Sequence, residues 1–98
     1  MAFVIDYSHD ALSQLRKLSS KDQRTIAVQV DRQLKHQADV ETRNRKPLRD
    51  DAECRWELRV GDFRVFYRIL PTDLTVVVTA IGRKVHSRLF VDDEEVEL

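Results

Sequence analysis

A chain of 98 residues with 42% hydrophobic content, two glycines and two prolines makes one small globule with a single core, which excludes a disordered chain and leaves no room for a second site-bearing domain. The lone Cys54 excludes an intrachain disulfide and a four-cysteine zinc site, and no apolar run reaches membrane-spanning length. Net charge is zero but uneven: residues 92–98 hold five acids and no base, so residues 1–91 carry 17 basic against 12 acidic side chains, a balance of +5. Arginine outnumbers lysine 12 to 5, and guanidinium is the group that grips phosphate bidentately and stacks on bases.

Phe3 to Tyr7 is a short β-prone run that starts without a basic region or a long apolar stretch, so no secretory signal is expected and the cytoplasm is the expected location. Ser8 is a suitable N-cap for a helix through about Leu18, with Ala11, Leu12, Leu15 and Leu18 on one stripe. Ser20 with Gln23 has the form of a capping box, opening a second helix to about Gln37 whose Ile26, Val30 and Leu34 recur every four residues. Two such helices form an antiparallel hairpin whose apolar stripes need a sheet to cover. Residues 38–54 lack a sustained period and read as a loop with a basic tip, Arg43, Arg45, Lys46 and Arg49, anchored by Leu48.

Residues 55–70 alternate apolar and charged side chains around Gly61-Asp62, the pattern of a β-hairpin with a two-residue type II′ turn. That turn sets Val60 opposite Phe63, Arg59 opposite Arg64, Leu58 opposite Val65, Trp56 opposite Tyr67 and Arg55 opposite Arg68. Trp56, Leu58 and Tyr67 then face the helices, while Arg55, Glu57, Arg59, Arg64 and Arg68 line an open face where Phe66 is placed to stack on a base. Like charges opposite each other destabilise a sheet by a few tenths of a kcal/mol or more, roughly, whereas a phosphate-bearing partner would gain from them. Leu74 to Ile81 is an inner strand, and Gly82 ends it before Arg83, Lys84, His86 and Arg88. The sequence thus predicts an α+β domain over residues 1–91: an N-terminal strand, an antiparallel helical hairpin packed on one face of a mainly antiparallel four-stranded sheet, and a short C-terminal segment. Residues 92–98 are an acidic tail, either a frayed solubilising end or a phosphate mimic folded over the arginine face.

Metal-free RNA cleavage needs a group to take the proton of the 2′-hydroxyl, cations for the phosphorane charge and a donor for the leaving 5′-oxygen. Arg59 and Arg64 are placed to clamp the phosphate and Lys84 to add a third cation. Glu57, the only carboxylate on that face, is the available base, weakened by its arginine neighbours. Further RNA contacts fall to Arg43, Arg45, Lys46, Arg49, Arg55, Arg68, Arg83, His86, Arg88 and Phe90; the His86 imidazole also suits acid–base work, although a single histidine in a charged turn is more often plain surface. His9, His36 and His86 show no ligand spacing with carboxylates or Cys54, and no glycine-rich phosphate loop exists, so neither a metal nor a cofactor is expected.

The segments Lys46-Pro-Leu-Arg49, Trp56 to Arg68 and Ala80 to Lys84, in this order after a strand and a helical hairpin, resemble the RelE/ParE toxin superfamily of bacterial toxin-antitoxin systems over nearly the whole chain. The resemblance implies one of two activities. The RelE branch, favoured here, cleaves mRNA in the ribosomal A site and inhibits translation; the ParE branch poisons DNA gyrase. A catalytically weak member that binds its antitoxin and helps repress their operon is a third possibility. The implied partners are a cognate antitoxin protein, the ribosome and mRNA, and operator DNA through the antitoxin complex, with no membrane. Carried over by position, the RelE arginine early in the second hairpin strand matches Arg64. The two lysines of the preceding strand fall on Glu57 and Arg59, the arginine after the glycine falls on Lys84, and the tyrosine near the C-terminus falls on Phe90.

Overall fold

The structure, a computed structural model, describes residues 2–49 and 51–97. Its elements are β1 (Val4–Tyr7), α1 (His9–Arg16), α2 (Ser20–Leu34), β2 (Arg45–Pro47), β3 (Trp56–Val60), β4 (Phe63–Leu70), a 3-10 turn (Pro71–Asp73), β5 (Thr75–Val85), β6 (Arg88–Val91) and β7 (Glu94–Val96). Among the described residues all seven strands belong to one sheet, ordered β2-β3-β4-β5-β6-β7, with β1 lying parallel to β5. The sheet is therefore wider than the four strands expected. Strand β2, three residues ending in Pro47, pairs antiparallel with β3 inside the segment read as loop. Strand β7 turns the acidic end into a sheet edge rather than a frayed tail.

Local chemistry explains the elements. Ser8 caps α1 by accepting from the Ala11 N–H, as its sequence position suggests. Helix α2 is capped by Ser19, one residue earlier than expected, which accepts from the Asp22 N–H. No capping box forms with Ser20: the Gln23 amide instead donates to the carbonyls of Arg16 and Leu18 at the end of α1. The hairpin register is as the alternation dictates for Trp56, Leu58, Arg59 and Val60. Gly61 has φ 57° and Asp62 does not adopt positive φ, the pattern of a type II′ turn. Strand β3 starts at Trp56, so Arg55 lies outside it and does not pair with Arg68.

Both helices cover one face. Helix α1 lies over β5 and α2 over β3, burying Ala11, Leu15, Ile26, Val30 and Leu34 against Leu58, Val65, Tyr67, Val76 and Val78. Trp56 stacks on Tyr67 at 6.0 Å between ring centroids, and the Tyr67 hydroxyl donates to the Ala38 carbonyl at 2.7 Å. Burial pushes the Tyr67 phenol well above its ordinary range, so it stays a neutral donor. A bulge interrupts β5, where the partners of β4 skip from Ala80 to Val78. Its stray groups are met by α1: Ser8 donates to the Thr79 carbonyl, and the Gln14 amide oxygen accepts from the Ile81 N–H at 2.7 Å. No helix of the described residues is long and apolar enough to cross a membrane.

Candidate nucleic-acid interface

The sheet face away from the helices carries the charge. Residues opposite each other in a ladder share a face, so Lys46 lies beside Glu57 and Arg59 beside Arg64, with Arg68 further along β4 and Lys84 along β5. The Arg59 N–H is directed outward to the Asn44 carbonyl. Arg59 and Arg64 therefore form the closer, non-hydrogen-bonded kind of pair, with Cα atoms about 4.5 Å apart. Arg59 is exposed, and its guanidinium makes no hydrogen bond or ion pair among the described residues. The same is true of the Lys46, Arg68 and Lys84 side chains.

Glu57 and Arg64 break the expectation of an open arginine face. Glu57 is only 8% exposed, and its Oε1 lies 3.1 Å from Arg64 Nε. By distance this is an ion pair. The Nε–H is not aimed at the oxygen, however, so neither buried atom has a hydrogen-bond partner. We regard the contact as charge attraction without a directed bond, because an N–H···O interaction weakens steeply once bent. The rest of the Arg64 guanidinium curls to the turn, donating through Nη1 to the carbonyls of Gly61 and Phe63 at 2.9 Å each. Phe66 is 2% exposed with the Arg55 guanidinium 5.9 Å above its ring, so it is closed to a stacking base. Phe66 and Leu89 are buried outside the main core cluster and hold up this second face. Gly82, opposite Arg64 on β5, is required there: a Cβ would stand 2.8 Å from the Phe90 carbonyl oxygen and 2.9 Å from Val91 Cγ2.

Phe90 does not join this face. It pairs with Arg83, which pairs in turn with Phe63, and all three lie on the helix side. There they border a groove of about 600 Å³ with Gln14, Lys17 and Asp92. The Arg83 guanidinium sits 4.7 Å above the Phe63 ring and 3.5 Å from Asp22. Asp92 accepts from Lys17 Nζ at 3.0 Å and from the Gln14 amide at 3.1 Å, and these bonds hold its carboxyl below the ordinary range. Asp92 thus ties the acidic end to α1, while Glu94, opposite Val91, lies on the helix-free side of the sheet edge.

With this geometry in hand, residues 5–86 match the family model described as the ParE toxin of type II toxin-antitoxin systems, parDE. The chain belongs to the ParE toxin family. It is a toxin-antitoxin toxin of the RelE/ParE superfamily, and its fold is that of solved RelE proteins. The toxin-antitoxin complex RelBE2 of Mycobacterium tuberculosis aligns with TM-score 0.68 at 22% identity, over 86% of this chain and 100% of that one. The RelE-RelB complex of the archaeon Pyrococcus horikoshii aligns with TM-score 0.70 at 16% identity, over 88% and 99%. The isolated RelE toxin of E. coli aligns with TM-score 0.65 at 22% identity, over 88% of each chain. At these identities the likeness is one of fold. No curated protein matches the sequence.

Several basic residues of this ParE-family toxin are placed otherwise than as RNA contacts. Arg45 is 4% exposed and projects to the helix side, paired with Leu58. Its guanidinium donates to the Val40 carbonyl, the Gln33 carbonyl and amide oxygen, and the Gln37 amide oxygen, so its role is structural. Arg55 is held by Asp51 at 2.9 Å and Glu53 at 3.4 Å. The Glu53 N–H and the Arg55 guanidinium together hold the Asp51 carboxyl below its ordinary range. Arg83 and Arg88, on the helix side, pair with Asp22 and Glu95. His86 sits at the tip of the β5-β6 hairpin with φ 50°, exposed and away from Glu57. Arg43 and Arg49 are exposed in the segments flanking β2. The sequence reading missed Gln14, which ties the β5 bulge to Asp92; a glutamine on the inner stripe of α1 was the available signal. Among the described residues no group of three or more histidines, cysteines or carboxylates is arranged to hold a metal.

Proposed function

We propose that this toxin acts on RNA, binding mRNA phosphates on the helix-free face and cleaving the message on the ribosome without a metal. The observation that carries this reading is the Arg59/Arg64 pair with Lys46, Arg68 and Lys84 around it: four cations whose side chains make no hydrogen bond or ion pair among the described residues, beside one that is half-engaged. Such crowding costs a sheet stability and gains only against a polyanion. Arg59 and Lys84 are assigned to the negative charge that builds on the non-bridging phosphoryl oxygens as the 2′-oxygen, giving its proton to water, bonds to phosphorus and the 5′-oxygen leaves, taking a proton from water. Antitoxin neutralisation comes with this reading, since the matched M. tuberculosis and P. horikoshii structures are toxin-antitoxin complexes.

Primer extension on a translated message tests the proposal. New 5′ ends are expected with the wild-type chain, reduced on the order of a hundredfold in an Arg59→Ala, Lys84→Ala double variant. Arrest of growth without new ends would remove it. A second reading, inhibition of DNA gyrase, is favoured by one specific observation: the carboxylate beside the arginine pair, Glu57, is engaged by Arg64, and Phe90 is on the other side of the sheet. Accumulation of DNA cleavage complexes with purified gyrase distinguishes it.

A further inference from the structure

A base for the 2′-hydroxyl needs a free carboxylate, and Glu57 is engaged by Arg64. The structure points elsewhere. Its Oε1 and the Arg64 Nε approach to 3.1 Å yet form no directed hydrogen bond, and both are buried and otherwise unpartnered. Arg64 keeps its turn-side nitrogen bonded to two backbone carbonyls, so its position does not depend on Glu57. What Glu57 contributes is negative charge at the buried Nε edge of the guanidinium, on the side of the sheet that carries Arg59.

We propose that Glu57 is a built-in competitor for phosphate at Arg64: its carboxylate stands where a phosphate oxygen of the ligand would be received. The inference rests on the RNA-binding reading and deepens it. A well-made structural ion pair would be bidentate and hydrogen-bonded; this one is single-point and bent, the form of a contact that an incoming anion can replace. In the free toxin the carboxylate spares Arg64 from being a buried, unpaired cation. When a phosphodiester arrives it must displace Glu57 or tolerate a like charge, so the toxin binds RNA more weakly than its cations allow.

The test compares the wild type with Glu57→Gln, which keeps the shape and removes the charge. The RNA probe is a short 2′-O-methyl oligonucleotide, which cannot be cleaved. Glu57→Gln is expected to bind it about tenfold more tightly at low salt, with the slope of log affinity against log salt steeper by about 0.7, one further phosphate contact on a single strand. Inorganic phosphate is the second probe: it should raise the melting temperature of Glu57→Gln more than that of the wild type. Glu57→Met serves in its place if the glutamine variant does not fold. Unchanged or weaker RNA affinity, with no gain in phosphate stabilisation, overturns the proposal and returns Glu57 to a base or a positioning residue. The RNA reading fails separately: the Arg59→Ala, Lys84→Ala double variant would then bind the oligonucleotide as the wild type does. If no form binds it, the phosphate melts alone decide the role of Glu57.

Discussion

Replacing Arg45 by Met separates the structural cations of this toxin from the functional ones. The guanidinium is buried and makes four hydrogen bonds, at 3.0 Å to the Val40 carbonyl, 3.1 Å to the Gln33 carbonyl, 2.6 Å to the Gln33 amide oxygen and 3.2 Å to the Gln37 amide oxygen. All four acceptors are neutral, and they lie at and beyond the C-terminal end of α2, where a cation also complements the helix dipole. Met fills much of the volume but donates nothing. The glutamine amides can turn to water, so the cost falls chiefly on the two backbone carbonyls, at about 1–3 kcal/mol for each buried acceptor left unmet. A total near 3 kcal/mol is a large share of the roughly 5–15 kcal/mol that holds a domain of this size. It lowers the melting temperature by about 12–24 °C. Urea unfolding followed by far-UV circular dichroism should show a midpoint lower by about 1 M or more at unchanged slope. RNA affinity measured well below that midpoint should match the wild type, because Arg45 points to the helix side. Arg45→Lys, which keeps the charge and loses the fork, should fall between. A variant that keeps its stability within about 0.5 kcal/mol of the wild type, the range of an ordinary surface change, yet binds RNA more weakly would refute the assignment.

Gly82→Ala sets a Cβ against the Phe90 carbonyl oxygen and the Val91 side chain at under 3.0 Å, so β6 must move; a loss of about 1–3 kcal/mol is expected in urea unfolding, with faster amide exchange along β6. A neutral substitution would contradict the packing described. The Asp92 carboxyl is held below its ordinary range by Lys17 and Gln14. Its contribution is therefore complete above the ordinary carboxylate value of about 3.9 and is lost as pH falls through the lower folded value. Amide shifts of Gln14 and Asp93 should move together in that acid window and stay flat in Asp92→Asn. Phe90→Tyr restores a hydroxyl at the position where the RelE resemblance places tyrosine, but on the helix side, so no gain in mRNA cleavage is expected. A tenfold gain in primer extension would count against the strand register.

The parts of this fold that were legible in the sequence are those where periodicity and a turn residue agree. Trp56 to Tyr67 fixes its register because alternation and Gly61 leave one way to pair, and Ile26, Val30 and Leu34 fix the buried stripe of α2. Strand β2 was not legible, since three residues ending in proline show no alternation. The two closing hairpins were hidden by their turns. His86-Ser87 and Asp92-Asp93 all take positive φ, between 50° and 68°, with no glycine or asparagine to announce it. Alternation also names the side a residue faces without saying what covers it. It places Glu57 and Phe66 on the correct face but open to solvent, while the structure buries both. Charge runs are usually solvated, so Arg45 reads in sequence like its basic neighbours, and only the position of the α2 C-terminus shows that it is an internal donor.

The placement of Glu57 bears on why two arginines face each other at all. If the carboxylate served only to relieve their repulsion, the stable arrangement would set it within reach of both guanidinium groups. It reaches one. Glu57 lies opposite Phe66, diagonal to Arg64, and among the described residues its one ion-pair contact is with Arg64 Nε, while Arg59 next door is exposed and has no ion pair among them. The helix side of the same sheet shows that this chain can neutralise arginine when nothing else is asked of it, as with Arg83 and Asp22 or Arg88 and Glu95. On the helix-free face, by contrast, Arg59, Lys46, Arg68 and Lys84 make no ion pair among the described residues.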